Sequence, residues 1–256
     1  MGSISVVGGP TAVSAPGSMS FAMPDGATPS VSVNGGPYGP IGSGSSAFSA
    51  AQAFITAKVP SLTLPVFVDE CNSALPNFAF TQSGSNFFVG QNLPGGVIGI
   101  GSGATPTLAS ARNVGAAAGA NGADFVGNVK VDPFALYVRV KPGTSPGGSD
   151  IRMCNIADEA NYNLGIGLVG TANWQLRISA ANTDLGVAAT AAWHDLLLIS
   201  DGTNLFSYVD YTLLNTTLLS SLGASFAHGG HLNLLCGSTN CSFFVDRVLA
   251  VTAAAT

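Results

Sequence analysis

The sequence predicts an all-β protein, an antiparallel β-sandwich fronted by a Gly/Ser/Pro-rich extended N-terminal arm. Three observations lead there. After residue 125, apolar and polar residues alternate at period two in several separate segments, as half-buried strands require. The chain carries 33 glycines and 14 prolines, the residues that build turns and stop long elements. Charged residues make up only 8% of the chain, against about 25% in an ordinary domain. That shortage excludes coiled coils and helical bundles, whose outer faces need charge. At 256 residues the chain fits one large domain or one domain with an appended arm.

The arm comes first, over residues 1–76, and the sandwich follows over residues 77–256. Residues 1–68 carry only Asp25 and Lys58 as charges, whereas residues 125–256 carry 15 of the 21. Short apolar runs at 4–7, 31–33 and 62–68 punctuate the arm. Between them, one helix fits the pattern: Ser46 caps it, Phe48, Ala51 and Ile55 share a face, Lys58 suits its C-terminus, and Pro60 ends it. Residues 54–59 fit a strand as well. Residues 101–124 read as a loop, because Gly115, Gly119 and Gly122 each cost a helix about 1 kcal/mol relative to alanine.

The sandwich elements then follow in order. Phe134, Leu136, Val138 and Val140 fall on one face of a strand, with Tyr137, Arg139 and Lys141 on the other. Trp174, Leu176 and Ile178 alternate with Gln175, Arg177 and Ser179. Residues 196–199 are continuously apolar, and Ser200-Asp201-Gly202-Thr203 turns the chain into a strand over 204–210. Residues 231–236 and 241–251 flank a Gly-Ser-Thr-Asn loop. Strands at this spacing indicate an antiparallel sandwich, with Phe134, Leu136, Trp174, Leu176, Ile178 and Val245 facing inward.

These segments resemble the concanavalin-like jelly roll shared by legume lectins, laminin G modules and many phage and cell-surface domains. The resemblance starts at FALYVRVKPGTSPGG, continues through LGIGLVG and WQLRIS, and is strongest in WHDLLLISDGTNLFSYVD; it closes on FFVDRVLAV. It covers residues 125–256, and one or two earlier strands are expected to complete the sheets. Arg139 stands where an aromatic residue is common in this family, and Tyr211 where glycine usually follows the Val-Asp pair. A tyrosine there tolerates positive φ poorly. The resemblance implies a jelly-roll sandwich and no single activity, because the fold hosts lectins, hydrolases and structural modules.

Chemistry is sparse. A glycosidase needs two carboxyls roughly 5 to 9.5 Å apart. The two glutamates, Glu70 and Glu159, each follow an aspartate, and neighbours in a strand point to opposite faces. No Glu-x-Asp-x-Glu spacing occurs. His194 is assigned to packing at a Trp-His strand opening, and His228 and His231 to the surface. These readings lead to the expectation that the protein is not an enzyme and holds no cofactor. Asp158, Glu159, Asn161 and Asn163 concentrate oxygen ligands in one loop and are the calcium candidates. Tyr162 and Tyr211 are candidate sugar-stacking residues; Trp174 fits the core better. Cys71, Cys154, Cys236 and Cys241 follow no Cys-x-x-Cys spacing. Cys236 and Cys241 either pair across a hairpin or stay buried thiols.

With 8 Lys plus Arg against 13 Asp plus Glu, the formal charge of −5 argues against nucleic-acid binding. No secretory leader, myristoylation pattern or membrane span is read from the sequence. The expectation is a bacteriophage virion protein, a capsid decoration or a tail-associated component. Ordering the arm costs roughly 1–2 kcal/mol per residue, so other copies of the chain, as a trimer, and major capsid or tail proteins are expected to bury it. The alternative expectation is a carbohydrate- or receptor-binding module of a tail fibre, with a host surface glycan as partner.

Overall fold

The computed structural model describes residues 45–69, 71, 78–82, 87–93, 97–102, 109–113, 133–143, 150–157, 163–170, 172–222, 231–237 and 241–253. Among the described residues one α-helix, α1 (Ser45–Lys58), precedes fifteen strands. They are β1 (Leu62–Asp69), β2 (Phe78–Gln82), β3 (Phe87–Leu93), β4 (Val97–Ser102), β5 (Ala109–Asn113), β6 (Phe134–Pro142), β7 (Asp150–Ala157) and β8 (Asn163–Val169). After them come β9 (Asn173–Ile178), β10 (Ala181–Ala188), β11 (His194–Ser200), β12 (Asn204–Val209), β13 (Thr212–Leu218), β14 (His231–Cys236) and β15 (Ser242–Ala253). Every pairing is antiparallel. An eight-stranded sheet runs β13-β12-β11-β6-β15-β4-β3 with β1 also on β15, and a seven-stranded sheet runs β10-β9-β8-β7-β14-β5-β2. The two form a jelly-roll sandwich, as the alternation requires.

The main core lies between the sheets. Phe134, Leu136, Val138 and Val140 of β6 meet Trp174, Leu176, Ile151 and Ile166 of the other sheet, all at most 1% exposed. Val245 belongs to the same cluster, with Ile178 packed at its margin. A second apolar cluster sits on the outside of the eight-stranded sheet. There Ala51, Ile55 and Val59 of α1 and its exit cover Ala135, Tyr137, Leu197, Ile199, Tyr208 and Leu249. This explains the continuous apolar run at 196–199: Leu196 and Leu198 face the inter-sheet core while Leu197 and Ile199 face the helix.

Several expectations need correction. Residues 54–59 do not form a strand; α1 runs to Lys58, and Pro60 follows it. Residues 62–68, expected to be buried by a neighbouring chain, form β1 and pair with β15 of the same chain, from Leu62 opposite Ala253 to Asp69 opposite Val248. Within 101–124, Gly101 and Ser102 end β4, and Ala109–Asn113 is β5, paired with both β2 and β14. Ladder bonding to two neighbours holds a segment whose Ala/Ser composition looks like loop. The rest of that stretch, and residues 1–44, lie outside the described residues. Among the described residues five strands, rather than one or two, precede residue 125. Tyr137 is buried on both sides, because α1 covers the face that period two marks as polar. No helix among the described residues is long and apolar enough to cross a membrane.

Candidate functional site

Two polar regions lie on the outer faces of the sandwich. The first adjoins α1 on the eight-stranded sheet. Adjacent positions on β11 and β6 bring Asp195 opposite Arg139. The Tyr137 hydroxyl donates to Asp195 Oδ1 at 2.9 Å, and an Arg139 terminal nitrogen donates to the same oxygen at 3.2 Å. The Arg139 Nε lies 3.4 Å from Asp246 Oδ2, which also accepts from Arg247 at 2.8 Å. The Arg139 guanidinium stands 5.9 Å over the Trp193 ring. Burial pushes the Asp246 carboxyl up, against the pull of Arg247 and Arg139. Burial, joined by the neighbouring Asp195 charge, drives the Tyr137 hydroxyl well above its usual range. Both aspartates are held by guanidinium groups, so the network locks β6, β11 and β15 together.

Beside it, Thr190 Oγ1 lies 2.9 Å from His194 Nε2, and His194 Nδ1 lies 2.8 Å from Asp210 Oδ2. The other Asp210 oxygen accepts from the Asp195 N–H at 2.9 Å. This line fastens the β10–β11 loop to the β12–β13 turn. His194 does pack, edge-on to Trp174 at 5.3 Å, and it is hydrogen-bonded as well. Its partner was legible in principle: the His of Trp-His and the Asp of Val-Asp sit at the same end of neighbouring antiparallel strands.

The second region is the outer face of β7, β8 and β9. A register shift between Arg152 and Cys154 leaves Met153 as an extra residue in β7. Met153 and Cys154 both enter the core, so Arg152 and Asn155 both face outward, three positions apart. A bulge is a means of re-aiming side chains. Opposite them stand Gly167 and Gly165, and beyond these Gln175 and Arg177. Two ladder rows result, Arg152-Gly167-Gln175 and Asn155-Gly165-Arg177. Neither glycine has room for a side chain: a Cβ at Gly165 would lie 2.7 Å from the Asn155 Cα, and one at Gly167 would fall on the Ile151 carbonyl oxygen. The strands therefore approach closely and leave a depression of about 10 Å3, room for one water molecule. Asn155 is 0% and Gln175 7% exposed in its floor, while Arg152 and Arg177 are half-buried at its border. The Arg177 Nε donates to the Ser179 carbonyl at 2.9 Å.

The residues singled out from the sequence are scattered. Asp158, Glu159, Asn161 and Tyr162 lie outside the described residues, and Asn163 opens β8. Among the described residues no three His, Cys, Asp or Glu side chains converge as metal ligands. Tyr211 does adopt positive φ, 62°, in the β12–β13 turn beside Asp210 at 50°. Its ring lies against Phe54 at 5.1 Å, which occupies ring surface a sugar would need. Burial, with Asp195 adding to it, pushes its hydroxyl up to about 12. Trp174 is fully buried. All four cysteines are buried thiols outside any disulfide, so Cys236 and Cys241 form no bridge. Sequence reasoning missed the second region because the bulge breaks the period of β7; the regular Gly-x-Gly spacing of residues 165 and 167 was the available signal.

Comparison with known proteins yields the fold. No family model matches the chain, and no curated protein matches it. Among solved structures, the chain is similar to the binding domain of botulinum neurotoxin DC, at TM-score 0.50 and 11% identity over 75% of this chain. It spans about half of that domain, 48%. It is similar to the Crh5 transglycosylase, at TM-score 0.51 and 12% identity over 76% of this chain and 89% of that one. It is also similar to the CBM2 module of the evolved Dit of Lactobacillus casei BL23 phage J-1, at TM-score 0.51 and 13% identity over 76% and 98%. The shared architecture is a jelly-roll β-sandwich. The expectation that the protein is not an enzyme is corrected here, because the same sandwich carries a transglycosylase. The lack of a familiar carboxylate spacing does not support the exclusion.

Proposed function

We propose that the protein is a carbohydrate-binding module of a bacteriophage particle, associated with its tail, whose ligand is a host surface glycan. The observation that carries this reading is the outer face of β7–β9. There Arg152 and Arg177 stand half-buried beside Gly165 and Gly167, with the Asn155 and Gln175 amides buried in the floor between them. A sugar needs closely spaced polar partners for its hydroxyls, and guanidinium groups provide donors. Neighbouring strands are about 4.8 Å apart, close to the length of one pyranose ring. A glycan running across the strands would meet a new set of groups at each strand. The likeness to a phage Dit module supports a place on the tail, where tail proteins and further copies of the chain would be its neighbours.

The test is retention of the full chain on immobilised host envelope polysaccharide, with Arg152→Gln and Arg177→Gln variants compared at matched folding. Loss of retention in both variants supports the reading. Retention unchanged in both, or no retention of the wild-type protein, overturns it. Antibody labelling of intact particles at the tail tests the location.

A further inference from the structure

We propose that β13 is an association edge through which two copies of the chain pair, strand against strand, about a two-fold axis. β13 ends the eight-stranded sheet. It is bonded to β12 from Thr212 opposite Val209 to Leu218 opposite Asn204, and no described strand lies on its other side. Every second residue of such a strand turns its N–H and C=O groups away from the sheet, ready for a further strand. The side chains invite one too. Leu213 is 48% and Leu218 55% exposed. Leu213 stands opposite Tyr208 and Thr216 opposite Phe206, with Leu218 two positions further along. Tyr208 and Phe206 belong to the cluster under α1, so both leucines lie on the face that carries the helix.

Natural edges are guarded by charge, proline or local irregularity. Two other described edges show these devices. β1 carries Pro65. β10 carries Asp184, with Gly186 at φ +70° in the irregular stretch before Ala188. β13 has neither charge nor proline, and its one irregularity, at Leu214, leaves 215–218 in regular register with β12.

Charge and symmetry together select a second copy as the occupant. Residues 211–222 hold no charged side chain, so an acidic or basic partner finds nothing there to pair with. The chain carries a formal charge of −5, so copies repel one another in general, and β13 is a line along which two can meet without opposing charges. Antiparallel pairing of a strand with its own copy is isologous and keeps the α1 faces of both sheets on one side. The row of Leu213, Thr216 and Leu218 then meets the same row of the other copy. On the opposite face, Thr212, Asn215 and Thr217, which lie across from Val209, Ser207 and Leu205, meet their equivalents. A strand of seven residues is only about 23 Å long and buries less than the ~800 Å2 per partner of a standard interface. The pairing is therefore weak in dilute solution and fills where copies are held close together, as they are on a particle.

The experiment is sedimentation equilibrium of the full chain from micromolar to millimolar concentration, beside Leu213→Lys, Leu218→Lys and Leu64→Lys variants that thermal unfolding shows to be folded. Leu64, on β1, is 48% exposed and is the control. Each lysine moves the formal charge one step from −5 toward zero, so general repulsion falls and cannot explain a loss of association. A concentration-dependent dimer is expected. Each β13 lysine is expected to weaken it roughly ten-fold, because the two-fold axis counts every cross-strand change twice, while Leu64→Lys leaves it unchanged. Amide hydrogen exchange within 212–218 is expected to slow as concentration rises. A monomer at every concentration overturns the proposal. Association that both β13 variants keep, or that Leu64→Lys weakens equally, overturns it as well, and so does exchange in 212–218 that ignores concentration.

Discussion

Replacing Gly167 by alanine would set a methyl group against the Ile151 carbonyl oxygen, 3.0 Å from the Ile151 carbonyl carbon and 3.1 Å from the Arg152 Cα. All three are backbone atoms of the neighbouring strand, so no rotamer change relieves the contact. β7 and β8 must separate at the bulge. Overpacking costs typically 1–3 kcal/mol, and a clash against backbone lies at the top of that range, about 3 kcal/mol. For a chain of this size each kcal/mol lowers Tm by roughly 2–4 °C, so Gly167→Ala is expected to lose about 6–12 °C. Gly186→Ala is the control. Gly186 has φ +70° with nothing within 4 Å of a built Cβ, so its cost is backbone strain alone, about 1–2 kcal/mol. Thermal unfolding by circular dichroism at matched protein concentration reads both. If Gly167→Ala loses no more than Gly186→Ala, the close strand approach that shapes the β7–β9 depression is wrong.

The remaining expectations concern turns, titration and thiols. Ser179 has φ 55° in the β9–β10 turn, so Ser179→Gly relieves strain at the expense of unfolded-chain entropy and should raise Tm by about 1–2 °C; a fall would refute the strain argument. Burial pushes the Asp201 carboxyl upward, but donors from Asn204 and Thr203 outweigh it and hold it below its ordinary value. A carboxyl depressed on folding adds stability that is fully present above about pH 4 and lost as pH falls through the lower folded-state value. Asp201→Asn should therefore flatten the acid limb of the Tm–pH curve, and an unchanged limb would count against the turn bonds. The four thiols are buried and unbridged; burial drives the Cys154 thiol well above its usual range. A chromogenic disulfide reagent should titrate them only after unfolding, with no change of Tm on adding a reductant.

The sandwich was legible wherever one face of a strand is core and the other is not. Trp174, Leu176 and Ile178 alternate with polar neighbours, and all three join the inter-sheet core or its margin. Legibility failed where a second layer or a bulge changes what period two means. Tyr137 reads as an outward residue, yet α1 makes its side of the sheet interior. Arg152 and Asn155 cannot both face outward in a regular strand; the extra Met153 allows it. β5, Ala-Ser-Ala-Arg-Asn, has too little apolar content to announce itself, and its place comes from two flanking ladders. The network of Arg139, Asp195 and Asp246 joins three strands distant in sequence, so no local spacing could reveal it.

The pairing of β1 with β15 also sets the timing of biosynthesis. Asp69 waits for Val248 and Leu62 for Ala253, so about 180 residues must leave the ribosome before this ladder can close, roughly 10–40 s at ordinary elongation rates. Throughout that interval the strand has no partner, and Leu62 and Phe67, both at most 5% exposed in the finished fold, have no core to enter. The apolar side of α1 is equally unsheltered, because Leu197, Ile199 and Leu249, which it packs against, emerge late too. A nascent chain in this condition is a substrate for holdase chaperones and for self-association. Expression at low temperature, or with added chaperone, should therefore raise the soluble yield more than any stabilising change made in the finished sandwich.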